Sequence, residues 1–84
     1  MPQFTKTIET PKGKLKFIFS RIYTVSGIRF HISVKENSET YFFNMEARAG
    51  VWRIINAPKV PDWIMDLHTE LGDAITKSNP YSYL

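Results

Sequence analysis

Residues 28–35 alternate without a break. Ile28, Phe30, Ile32 and Val34 are apolar, while Arg29, His31, Ser33 and Lys35 between them are polar or charged. Successive side chains of a strand point to opposite faces, so this segment buries one face and wets the other. The same parity extends upstream, where Leu15, Phe17, Phe19, Tyr23 and Val25 share one face of a strand over 14–25. A two-residue turn at Ser26-Gly27, with glycine supplying positive φ, pairs Val25 with Ile28 and sets Tyr23 opposite Phe30. Downstream, a polar turn over 36–39 pairs Val34 with Tyr41, Ile32 with Phe43 and Phe30 with Met45. A further turn at Ala49-Gly50 pairs Ala47 with Trp52 and Met45 with Ile54, and Thr10-Pro11-Lys12-Gly13 returns a first strand over 4–9. One register therefore gathers nearly every large apolar side chain on one face, and a one-residue slip would turn them all to water. Lys6 is the exception on that face, which marks a sheet edge or a snorkelling stem.

The run Ala57-Pro58-Lys59-Val60-Pro61 is a rigid connector, because its two prolines lack amide donors and resist both helix and ladder. A helix is expected over 62–77, with Asp62 as its cap or first-turn acid. Trp63, Ile64, Leu67, Leu71, Ala74 and Ile75 fall within an arc of about 120°, the stripe of a helix lying on a core. Ser78-Asn79-Pro80 ends it, and 81–84 form a short tail.

The expected fold is α+β, a single domain over 1–84. It is a curled antiparallel meander of about five strands (4–9, 14–25, 28–35, 40–48 and 51–56) with one C-terminal helix packed on one face. About seventeen apolar positions line the inner face, more than one short helix covers on a flat sheet. Either the sheet curls around the helix or a second copy covers the remainder.

Charge divides along the chain. Residues 1–61 hold ten Lys/Arg against four Asp/Glu, whereas 62–84 hold Lys77 against Asp62, Asp66, Glu70 and Asp73. The sheet is thus basic and the helix acidic. The chain has no cysteine, which removes disulfide and thiolate chemistry. No apolar run approaches the roughly 20 residues of a membrane-spanning helix, and residues 1–6 lack the apolar stretch of a secretory leader. A cytoplasmic location without a membrane partner is the expectation.

Nor does the sequence carry a phosphate loop, dinucleotide fingerprint, nucleophile elbow or zinc-ligand spacing. His31 lies on the outer face of the sheet, opposite Asn44 and Ile22, with no acid in its row to orient it as a base. His68 flanks the helix stripe at the sheet margin. Asp66, His68 and Glu70 do not form one metal site, since helical positions two apart point about 200° from each other. These residues read as solvated or structural, so no catalytic, metal or cofactor residue is assigned and no enzyme is expected.

The outer sheet face is the candidate binding surface: Lys14, Lys16, Ile18, Ile22, Arg29, His31, Lys35, Phe42 and Arg53. Arg29, Glu46 and Arg53 form one cross-strand row, an ion-pair ladder. The surplus lysines and the ring of Phe42 fit two uses. The favoured one is a non-catalytic interaction module for a protein partner, including a second copy in a homodimer, with Ile18, Ile22, Phe42 and Ile55 as its apolar part. The alternative is single-stranded nucleic acid, bound by lysines with a stacking ring.

Thr40-Tyr41-Phe42-Phe43-Asn44, within a β-β-β-β-α order, resembles the purine-rich-element-binding (Pur) type repeat. That resemblance implies single-stranded nucleic-acid binding and dimerisation by intertwined repeats. It extends over about five residues and the element order. Val51-Trp52-Arg53-Ile54 and the Pro58/Pro61 connector depart from the family's last strand and helix entry, and no binding residue is carried over.

Overall fold

A computed structural model of the chain describes residues 3–55 and 59–78. Five strands form one antiparallel sheet in chain order: β1 (Gln3–Thr10), β2 (Gly13–Thr24), β3 (Gly27–Glu36), β4 (Glu39–Arg48) and β5 (Val51–Ile55). The expected α+β meander is what forms. Residue 56, the 57–58 half of the connector and the tail over 79–84 lie outside the described residues.

The β3–β4 and β4–β5 hairpins take the expected register, and the β1–β2 turn falls where expected. Phe30 pairs with Met45, Ile32 with Phe43 and Val34 with Tyr41, while Ala47 pairs with Trp52 and Ile8 with Leu15. The β2–β3 hairpin differs by two residues. Thr24 pairs with Gly27 and Tyr23 with Ile28, so Phe30 faces Arg21 instead of Tyr23. The turn is therefore Val25-Ser26, and Gly27, at φ 127°, is the first residue of β3.

The cause is local, and it is repeated in the first hairpin. Thr24 Oγ1 donates to the Gly27 carbonyl at 2.9 Å and accepts from the Ser26 N–H at 3.2 Å. In the first hairpin, Thr10 Oγ1 donates to the Gly13 carbonyl at 2.7 Å and accepts from the Lys12 N–H at 3.0 Å. Both turns are Thr-x-x-Gly, with glycine at positive φ where a Cβ would be strained. A shift of two preserves side-chain parity, so the faces keep their identities.

The expected helix over 62–77 is realised in two pieces, α1 (Asp62–Met65) and α2 (His68–Ser78). At the break, the Leu67 N–H bonds back only three residues, to the Ile64 carbonyl at 2.9 Å, and α-type bonding resumes with Leu71 N–H to Leu67 O. Asp62 is a first-turn acid without a side-chain capping bond, and the N-cap position is taken by Pro61.

Nine sheet residues and five from α1, α2 and the turn between them make the core. From the sheet come Ile8, Phe17, Phe19, Phe30, Ile32, Val34, Phe43, Met45 and Trp52, and from the helical layer Ile64, Leu67, Leu71, Ala74 and Ile75. Helix α2 contacts both edge strands, β1 and β5, so the sheet curls around it as its length required. Lys6, on the edge strand, is exposed as expected, but Tyr23 and Val25 are not part of the buried face. They lie beyond the last described β1 pair, Gln3↔Ser20, toward the turn of the β2–β3 hairpin.

Candidate functional site on the open sheet face

Among the described residues, the layer formed by α1 and α2 leaves the other face of the sheet uncovered, and strand parity places all nine candidate residues on it. Register then sorts them into rows. Thr5, Ile18, Ser33 and Phe42 form one row; Gln3, Ser20, His31, Asn44 and Ile55 form the next. On the other side of the Phe42 row, Lys16 stands opposite Thr7 and Lys35 opposite Thr40. Ile22, Arg29, Glu46 and Arg53 form a row at the far end.

Phe42 is the exposed centre, with 60% of its surface in water. Its ring stacks on that of His31, with centroids 5.7 Å apart and planes inclined by 16°. His31 sits opposite Asn44 as expected, and Nδ1 lies 3.0 Å from Asn44 Oδ1, so a protonated Nδ1 donates to the amide oxygen. The two-residue register difference replaces Ile22 by Ser20 as its other neighbour. The amide partner fixes the orientation of the ring.

The expected Arg29–Glu46–Arg53 ladder forms in part. Glu46 accepts from Arg29 Nη2 at 3.3 Å and from Arg48, two residues along its own strand, at 3.0 Å from both Nε and Nη2. Arg53 is opposite Glu46 in register, but Arg48 makes the second ion pair. The hydrogen bond from Arg48 chiefly, with the charges of Arg48 and Arg29, holds the Glu46 carboxyl below its ordinary range against the opposing pull of desolvation. Lys14 stands opposite Glu9, so its charge is matched across the strands.

The structure thus brings together Lys16, Ile18, His31, Lys35 and Phe42, and leaves Lys14, Ile22, Arg29 and Arg53 nearer the two ends. His68 is exposed on α2 and its Nδ1 lies 3.2 Å from the Met65 carbonyl at the end of α1. No three His, Asp or Glu side chains among the described residues cluster as metal ligands. No helix among them is long and apolar enough to cross a membrane.

Exposed Tyr23, Val25 and Val51 were not foreseen as surface residues. The signal was present in the sequence: Thr24-Val25-Ser26-Gly27 repeats the Thr-x-x-Gly spacing of Thr10-Pro11-Lys12-Gly13, and reading both alike puts Val25 in the turn. No family model, curated protein or solved structure matches the chain.

Proposed function

We propose that this chain is a non-catalytic interaction module that binds a protein partner, a second copy included, through the open sheet face centred on Phe42. The supporting observation is the exposed Phe42 ring, held in place by stacking on His31. Half-buried Ile18 lies in its row and the exposed cations Lys16 and Lys35 in the neighbouring one. Rigid aromatic side chains placed among other contacts are the residues that anchor protein interfaces. Phe42→Ala is expected to leave folding intact and to weaken self-association, read as sedimentation mass against concentration. A mass independent of concentration for the parent chain, with no Phe42-dependent partner captured, would remove this reading.

Single-stranded nucleic acid is the second reading, favoured by one feature: the rows of Lys16, Phe42 and His31 contain no carboxylate. A mixed-sequence oligonucleotide should then shift the amides of residues 16–18, 31–35 and 42, with affinity falling steeply as salt rises. Absence of shifts at low salt excludes it.

A further inference from the structure

The chain has four arginines, Arg21, Arg29, Arg48 and Arg53, and the fold collects all of them at one end of the sheet. The strand segments there, 20–30 and 45–54, contain no lysine and a single carboxylate, Glu46. Counting on from Arg29↔Glu46, the Val25-Ser26 and Ala49-Gly50 turns end at the same level.

Apolar side chains project from that end. Val25 is fully exposed, Tyr23 is 65% exposed and Val51 50%. The Arg21 guanidinium lies over the Tyr23 ring, 5.4 Å from its centroid. Arg48 keeps most of its side chain in water while it holds Glu46. Behind the turns, Ser26, Arg29, Glu46, Ala47, Arg48 and Ile55 line an open depression of about 590 Å³.

We propose that this end docks shallowly on an anionic bilayer surface. The two turns enter the headgroup layer with Tyr23, Val25 and Val51, and the arginines meet lipid phosphates. Guanidinium groups suit phosphate because their planar fork gives two parallel hydrogen bonds. A tyrosine with an apolar body and a polar tip suits the boundary between acyl chains and headgroups. Size separates this partner from a protein. Two two-residue turns and their flanks fall far short of the roughly 20–30 residues per side of a stable protein interface. The expectation of no membrane partner rested on spanning segments, and a surface contact requires none.

Co-sedimentation with phosphatidylcholine vesicles, with and without phosphatidylserine, tests it. The parent chain binds only the anionic vesicles. Near an anionic surface each cation contributes about fivefold, so Arg48→Glu with Arg53→Glu lowers partitioning at least about thirtyfold. Val25→Asp with Val51→Asp abolishes it. Lys16→Glu with Lys35→Glu, at the other end and beyond a Debye length of about 8 Å, changes it less than about threefold. In the unaltered chain, lipid bicelles broaden amide signals of residues 21–28 and 47–53 selectively, a readout independent of how any variant folds. Equal loss on reversing the lysines, or no binding to anionic vesicles at low salt, overturns the proposal. So does a concentration-dependent mass without lipid that Val25→Asp with Val51→Asp removes, because the turns are then a protein interface.

Discussion

Helix α2 meets the two edges of the sheet in different ways. Against β5 the approach is close: a Cβ on Gly72 would lie 3.0 Å from the Cβ of Trp52, whose indole is buried with its ring edge-on to Phe30, 5.5 Å between centroids. Against β1 the contact is looser. A groove of about 510 Å³ separates Phe4, Lys6 and Ile8 from Glu70, Asp73 and Ala74, and Phe4 is only half-buried, stacked on Phe19 at 4.5 Å. The residue that allows the difference is a glycine in mid-helix, where glycine costs about 1 kcal/mol relative to alanine. One flank of the helix therefore carries the packing and the other carries access to water.

The two flanks should respond unequally to truncation. Trp52→Ala is expected to destabilise by about 3–5 kcal/mol in chemical denaturation, and Phe4→Ala, half-exposed on the open flank, by about 1–2 kcal/mol. Equal losses would mean that the groove is closed in solution. The close flank has a second test in Gly72→Ala. The overpacking against Trp52 costs about 1–3 kcal/mol and the gain in helix propensity returns about 1 kcal/mol, leaving a net loss of about 1 kcal/mol. A rise in melting temperature would show that α2 shifts toward the groove without cost.

The paired turns extend the comparison to hydrogen bonds. Thr10 is buried and Thr24 is not, although they make the same two bonds. Thr10→Ala should cost about 1–2 kcal/mol and Thr24→Ala about 0.5 kcal/mol, since an orphaned polar group costs more where water cannot replace the partner. Thermal melts resolve this, at about 4–8 °C per kcal/mol for a domain of this size.

The smallest effect belongs to Glu46. Its carboxyl is held below the ordinary value by Arg48 and Arg29, so its folded state binds a proton less readily than its unfolded state. That contribution is complete above the ordinary carboxylate range and disappears as pH falls through the lowered value. Glu46→Gln should lower stability slightly and evenly above the ordinary carboxylate range, flatten the acid limb, and converge with the parent chain as pH falls through the lowered value. An unaltered acid limb would mean that the ion pairs persist in the unfolded chain or do not form.

The meander was legible because period-2 alternation, repeated across strands, leaves few registers that keep Phe17, Phe30, Phe43 and Met45 together. The β2–β3 turn was misplaced because a glycine beside a serine also suits a two-residue turn, and a shift of two leaves every face unchanged. The hydroxyl of Thr24, bonding Ser26 and Gly27, marks the pairing that forms. The break at Leu67 was hidden for a similar reason: Ile64, Leu67, Leu71 and Ile75 keep helical spacing on both sides of it. On the open face, alternation told which residues share the surface, but not which carboxylate pairs with which arginine. Glu46 takes Arg48 from its own strand because residues two apart share a face, a competitor that cross-strand rows do not display.

Because the sheet follows chain order, each strand pairing closes only a two-residue turn. The long loop is the one that brings α2 back to β1 across most of the chain. Loop closure costs entropy before a contact repays it, so the hairpins are expected to zip in succession and the helix to dock last. Changes at the turns would then act mainly on the folding rate, whereas changes on α2 would act mainly on how long the folded molecule survives.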